Sequence, residues 1–203
     1  GILRYINLAI RSMEQGNVDK PKQYLFQCRQ GLMRMVQIVS ELLEFSRSAY
    51  VPLEHGRVEP IIEEAVKTME ARAQGCDVRM VLNCAGNTPP VKTSNLFQVF
   101  CNLIKNALDS MPDGGQLYIS TDVTQNNQIM IEFRDTGTGF DPNHSEAIFE
   151  PFFSTKHKGK GTGLGLAICR DIIERHNGRI TAENAPDGGA VFRVYLPITE
   201  QDK

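Results

Sequence analysis

Asn102 and Asn106 stand four residues apart in the segment Asn102-Leu-Ile-Lys-Asn106-Ala-Leu-Asp109. On a helix that spacing puts both side chains on one face. Two amides side by side offer carbonyl oxygens to a hard cation such as Mg²⁺, which takes oxygen ligands and is usually shared with phosphates. Asparagine is a mediocre helix former, so two of them inside an apolar helix ask for a reason. The plainer alternative is a pair of solvated asparagines.

A second group, Asp135-Thr-Gly137-Thr-Gly139-Phe140, directly follows a β-patterned run. Its glycines allow tight turns and a close approach of backbone to a ligand. An aspartate at a strand end can accept a hydrogen bond from an exocyclic amine such as that of adenine. The alternative is an ordinary glycine-rich turn.

The third group runs Phe149-Glu-Pro-Phe152-Phe153-Ser-Thr-Lys156 and then Gly159-Lys160-Gly161-Thr162-Gly163-Leu164-Gly165-Leu166. Its glycines abut an apolar helical stretch, where free N–H groups and the helix dipole favour anions. One helix terminus contributes only about 0.3–2 kcal/mol. A millimolar nucleotide site needs about 4 kcal/mol. Lys156, Lys160 and Mg²⁺ are therefore expected to supplement it. The alternative is a flexible surface loop. The glycines form neither a GxxxxGK[ST] loop nor a dinucleotide fingerprint, since no strand of a βαβ unit precedes them.

The elements that must position these groups fall into two regions. Ile2, Ile6, Ala9 and Met13 step at helical intervals. After Gly16-Asn17, the residues Leu25, Cys28, Leu32, Met35, Val39, Leu42, Ser46 and Ala49 step alternately by three and four, a heptad seam. Two such helices make an αα-hairpin that buries little alone and is completed by a second copy as a four-helix bundle. Packing of the stripe on the neighbouring domain is the alternative. Pro52-Leu53-Glu54-His55-Gly56 breaks the pattern. Beyond it the spacing predicts helices over 58–74, 95–111 and 163–176 and strands over 78–82, 117–123, 129–134, 179–183 and 190–196. The expected fold class is α+β, a helical hairpin followed by a two-layer sandwich of antiparallel strands with helices on one face. The organisation expected is hairpin 1–50, linker 51–56, catalytic domain 57–198 and tail 199–203.

Composition narrows the classes. With 22 basic and 24 acidic residues the net charge is -2, which gives no support for a nucleic-acid partner. No apolar run reaches transmembrane length, so membrane contact is expected only through segments outside this sequence. Five cysteines, an odd number without CxxC, suggest reduced thiols and a cytoplasmic setting. The four histidines lack zinc-ligand spacing with them.

Together the three groups and Gly188-Gly189 resemble the N, G1, F and G2 boxes and final glycine turn of the histidine kinase ATPase superfamily, with its Bergerat fold, over residues 57 to 198. The resemblance implies ATP and Mg²⁺ as cofactors. By position, Asn106 resembles the magnesium asparagine and Asn102 its phosphate-side neighbour. Asp135, supported by Gly137 and Gly139, resembles the adenine-contacting aspartate. Lys156, Gly161, Gly163 and Gly165 resemble the lid near the phosphates, and Phe153, Thr162 and Leu164 complete the implied nucleotide set. Asn102, Asn106 and Lys156 are the implied catalytic residues.

In hydrolysing members a glutamate stands where this chain has Asn102. Lack of that base favours transfer to another nucleophile over hydrolysis. This is similar to sensor histidine kinases, and Leu42-Leu-Glu-Phe-Ser-Arg47 resembles the end of their second dimerisation helix. The resemblance then implies a homodimer, a response regulator as partner and phosphoryl transfer to a histidine. None of the four histidines has the acceptor-box context, which is expected upstream of Gly1, so this chain alone is expected not to autophosphorylate. Asp109 stands where many relatives carry a basic residue. A gyrase- or Hsp90-like ATPase, a non-catalytic nucleotide-binding scaffold and an anti-sigma kinase are the rival readings.

Overall fold

A computed structural model describes residues 1–17, 19–48, 54–84, 86–155 and 161–199. Contacts divide the chain into two compact units, Gly1–Ser46 with Ser154–Thr162, and Arg47–Phe153 with Gly163–Lys203.

The first unit is built on helices α1 (Ile2–Glu14) and α2 (Asp19–Ser48). Gly16, at φ 75°, ends α1, with Asn17 N donating to the Ser12 carbonyl and Gly16 N to that of Met13. Asn17 Oδ1 then accepts from the amides of Asp19 and Lys20, so one residue closes the first helix and caps the second. Small side chains let the helices approach. Cys28 Sγ donates to the Ile2 carbonyl at 3.5 Å, and a Cβ on Gly31 would stand 2.9 Å from the Ile2 side chain. Tyr5 and Tyr24 rings meet at 6.3 Å.

The residues of α2 that face α1 are therefore Pro21, Tyr24, Cys28 and Gly31, which share Cys28 with the heptad stripe. Among the described side chains of that stripe only Cys28 is buried, while Leu25, Leu32, Met35 and Val39 are each more than half exposed. In α1 the buried residues are Ala9 and Ser12, and Met13 points outward. Periodicity located the apolar stripe but could not say which flank α1 covers. Leu42, Ser46 and Ala49 lie outside the described side chains.

The second unit is a five-stranded sheet with helices on one face. Its strands are β2 (Val78–Cys84), β4 (Gly115–Val123), β5 (Gln128–Asp135), β6 (Arg179–Asn184) and β7 (Ala190–Pro197), in the order β2-β4-β5-β7-β6. The sheet is mixed, because β2 runs parallel to β4 while the other pairs are antiparallel. This corrects the all-antiparallel expectation: β2 reaches β4 through a crossover that includes a helix, and a crossover returns the chain in the same direction. Two short strands missed in the sequence, β1 (His55–Gly56) and β3 (Val91–Lys92), pair with each other. Two-residue strands leave no alternation to read.

Three helices cover the sheet: α3 (Glu59–Gly75), α4 (Leu96–Ser110) and α5 (Gly165–Arg175). Inward positions alternate along the strands. Leu117, Ile119, Ile129, Ile131, Phe133, Val194 and Leu196 are buried. The opposite face carries ion pairs, such as Arg193 with Glu132 at 2.7 Å and with Glu183 at 2.6 Å. Helix α4 lies between α3, α5 and the sheet and buries Leu96, Val99, Phe100, Leu103, Ile104, Ala107 and Leu108. Phe100 meets Phe133 of β5 at 5.7 Å. Burial of each large side chain is worth about 1.5–3 kcal/mol. That cost fixes the rotation of α4 about its axis, and with it the direction of every polar residue it carries.

Candidate nucleotide site

The polar face of α4 is the frame of the site. Asn102, Asn106 and Ser110 follow one another at intervals of four and are all half-buried. Each step of four overshoots a helical turn by about 40°. The row therefore runs slantwise, from the flank facing α5 toward the sheet, over a rise of about 12 Å.

At one end Asn102 Nδ2 donates to the Gly165 carbonyl at 3.4 Å, so the amide lies against the first residue of α5. Asn106 follows one turn on. At the other end Ser110 Oγ meets Asp135 Oδ1 at 3.1 Å. Asp135 closes β5 and is only 2% exposed. Its Oδ1 also accepts from Gly137 N at 2.8 Å and Ala190 N at 3.2 Å. Burial pushes the Asp135 carboxyl above its ordinary value, and the bonds from Gly137, Ala190 and Ser110 partly oppose that rise.

The Gly137–Phe140 turn is clamped from β6. Asn184 accepts from Phe140 N at 3.0 Å and donates to the Phe140 carbonyl at 2.6 Å. Gly139 has φ 65°, and a Cβ there would stand 2.7 Å from Asn184 Oδ1. Glycine meets both constraints, the backbone angle and the space.

The turn before α5 is equally specific. Gly163, at φ 72°, accepts from Phe152 N at 2.9 Å, and a Cβ on it would stand 2.5 Å from the Phe152 carbonyl carbon. Phe153 is half-buried with its ring 5.1 Å from that of His144. Leu164 is buried at the N-cap, and α5 starts at Gly165, two residues later than the sequence suggests, because Gly163 is left-handed.

Asn102 and Gly165 are thus brought together, as are Asp135 and Gly137, and α4 connects the two ends. Gly161 and Thr162 fall in the first compact unit. Lys156 lies outside the described residues, as do His157, Lys158, Gly159 and Lys160. Ser110, Ala190 and Asn184 were missed in the sequence. The interval of four from Asn106 to Ser110 was the available signal for the first.

Asp109 pairs with Arg72 of α3 at 2.6 Å, a partnership that accounts for an acidic residue there. All five cysteines are free, with Cys28 and Cys169 buried and the other three half-buried. Burial pushes the Cys169 thiol up to about 12 and, helped by Glu64, that of Cys101 to about 11. Such thiols stay protonated and inert.

Among the described residues no three His, Cys, Asp or Glu side chains gather in a metal-holding group. On the polar face of α4 the side chains of Asn102 and Asn106 each carry an amide oxygen. Amide oxygens are among the ligands that Mg²⁺ accepts, and that ion is commonly held by few protein ligands plus phosphates rather than by an all-protein cage. Among the described residues no helix is long and apolar enough to cross a membrane.

A family model described as histidine kinase-, DNA gyrase B-, and HSP90-like ATPase matches residues 91–200. Sporulation kinase E of Bacillus subtilis (strain 168) is 32% identical over 171 residues, which are 83% of this chain and 23% of that protein. Sensor histidine kinase ZraS of Salmonella typhimurium is 32% identical over 167 residues, 81% of this chain and 36% of that one. The chain thus spans well under half the length of these curated relatives. The solved catalytic domain of histidine kinase ThkA is similar with a TM-score of 0.66 at 27% identity, over 74% of this chain and 100% of that one. Histidine kinase ThkA in complex with response regulator protein TrrA gives a TM-score of 0.76 at 25% identity, over 100% of this chain and 60% of that one.

Proposed function

The chain belongs to the histidine kinase-, DNA gyrase B- and HSP90-like ATPase family, and from that premise we propose that it is the catalytic portion of a sensor histidine kinase. It binds Mg·ATP and serves transfer of the γ-phosphoryl to a histidine on a dimerisation helix, for relay to an aspartate of a response regulator. The observation that carries this reading is the polar row of α4, with Asn102 against the start of α5 at one end and Asp135 bonded to Ser110 at the other.

In this reading Asp135 accepts from the adenine amine, with Gly137 and Gly139 shaping the turn beside the base. Asn102 and Asn106 face the phosphates, and Asn106 is the magnesium ligand. Mg²⁺, when bound, neutralises phosphate charge. Phe153, Lys156, Gly161, Thr162, Gly163, Leu164 and Gly165 line the phosphate side, where backbone amides and the α5 dipole favour anions. Asn102, Asn106 and Lys156 act by positioning and charge neutralisation, which is most of what phosphoryl transfer asks of a protein. No carboxylate stands at position 102 to activate water, so hydrolysis is disfavoured.

The proposed domain plan is hairpin 1–50, linker 51–56, ATP-binding domain 57–198 and tail 199–203. Exposed Leu25, Leu32, Met35 and Val39 support a homodimer through α2. A response regulator docks on the hairpin, and this portion of the protein works in the cytoplasm. The 203-residue chain alone, without an acceptor box, does not phosphorylate itself.

Two measurements test this. Nucleotide with Mg²⁺ raises the thermal midpoint of the chain, and Asn106→Asp loses that increase; an unchanged increase removes Asn106 from the site. Radiolabelled ATP leaves no acid-labile label on this chain and no steady phosphate release; rapid phosphate release would instead support a gyrase-like ATPase.

A further inference from the structure

Resting on the reading of this site as one for an adenine nucleotide, we infer that Ser110 is a positioning residue that sharpens base specificity by fixing the rotation of the Asp135 carboxylate, so that one oxygen is tied to the fold and the other faces the base. Three donors converge on Asp135 Oδ1: Gly137 N at 2.8 Å, Ser110 Oγ at 3.1 Å and Ala190 N at 3.2 Å. Among the described residues Oδ2 accepts from none. A carboxylate turns easily about its last torsion when nothing holds it. Here a turn would give up bonds to a charged acceptor, which are about twice as strong as neutral ones. Oδ2 is therefore held as the oxygen that receives an incoming donor.

That orientation is a filter. A 6-aminopurine brings an N–H donor to Oδ2. A 6-oxopurine brings a second acceptor, which leaves a buried carboxylate oxygen facing another oxygen. Sites built to pair a polar group reject the analogue lacking it far better than apolar walls do.

Two of the three anchors are backbone amides that no side-chain change removes. Ser110 is the side-chain anchor and so the adjustable one. Its hydroxyl also has the Ala107 carbonyl at 2.7 Å. One hydroxyl proton serves one acceptor at a time, and ionised Asp135 is the stronger of the two. The glycine of the turn makes room for this contact: a Cβ on Gly137 would run into Ser110 Oγ, and would stand 2.6 Å from the Ser110 carbonyl oxygen.

The test compares ATP with purine riboside triphosphate, the same molecule without the 6-amino group, by calorimetry on the chain, Ser110→Ala and Asp135→Asn. Ser110→Ala should weaken ATP about tenfold and purine riboside triphosphate less than about twofold, while the preference for ATP over GTP narrows. An equal loss for both nucleotides, or no loss for either, overturns the role given to Ser110. Should Ser110→Ala fold poorly, Ser110→Cys keeps the volume with a weak donor and should show the same split. If the unaltered chain binds neither nucleotide, or if Asp135→Asn binds ATP as the unaltered chain does, the nucleotide site itself is refuted and this role with it.

Discussion

Asn102 lies against Gly165: the amide donates to the Gly165 carbonyl at 3.4 Å, and a Cβ on that glycine would stand 3.8 Å from the amide carbon. That distance is ordinary van der Waals contact. Gly163, two residues earlier, has φ 72° and room for no Cβ at all. The two glycines should therefore respond oppositely to alanine. Gly163→Ala should destabilise by roughly 1–3 kcal/mol through left-handed strain and collision with the Phe152 backbone. Gly165→Ala should leave stability unchanged or raised by about 0.5–1 kcal/mol, since alanine suits a helix better. Chemical denaturation of both variants checks the contrast, and equal losses would refute it.

Asp135 should trade stability for binding. Its carboxyl is held above the ordinary value by burial, so the folded chain favours the protonated form. The associated stability is present at low pH and is lost as pH rises through the folded value. At neutral pH the ionised group burdens the fold. Asp135→Asn keeps an oxygen for Gly137, Ser110 and Ala190 and removes the charge. Its thermal midpoint at pH 7 should match or exceed that of the unaltered chain, while ATP affinity falls at least about tenfold. A fall in both would mean that the charge is needed for folding.

His176 should make the fold sensitive to mild acid. It caps the C-terminal end of α5 at 2% exposure, with Nδ1 bonded to the Ile172 carbonyl at 2.7 Å. Burial lowers its pKa below the ordinary 6.5, aided by Lys92 and opposed by the carbonyl of Ile172 and the backbone of Ser94. The unfolded chain then takes up a proton first as pH falls. Stability is complete above the unfolded value and declines as pH drops below 6.5 toward the folded one. The thermal midpoint should fall between roughly pH 7.5 and 5.5, and less steeply in His176→Gln. Equal slopes would place the sensitivity elsewhere.

The exposed stripe of α2 should hold two chains together. Leu32 and Val39 are 53% and 54% exposed in the single chain. A paired Leu32→Glu, Val39→Glu variant would force two charges per chain into any interface built on that stripe. Sedimentation should show a dimer for the unaltered chain and a monomer for the variant, with nucleotide-dependent stabilisation retained. A monomeric starting chain, or a variant that stays dimeric, rules the interface out.

Much of this was legible in sequence because it rests on local rules. The interval between Asn102 and Asn106 placed both on one face of α4, and burial of the intervening apolar residues bears that out. Strand periodicity found five of the seven strands. It missed β1 and β3, whose two residues each carry no pattern and exist through pairing across 35 intervening residues or so. It also took Gly163 into α5, since nothing local shows that Phe152 closes the turn with a left-handed residue before the helix.

The sequence by itself determined which residue types lie in order along the chain, the helical faces they share, and the glycines that only particular turns demand. The parallel pairing of β2 with β4, the flank of α2 that meets α1, and the partners of Asp135 were decided by tertiary structure. Ser110, Ala190 and Asn184 reach the Asp135 turn from segments 25 to 55 residues away. Spacing rules act over one or two helical turns, whereas the convergence of donors on a single carboxylate oxygen follows from how a helix, a strand end and a hairpin pack.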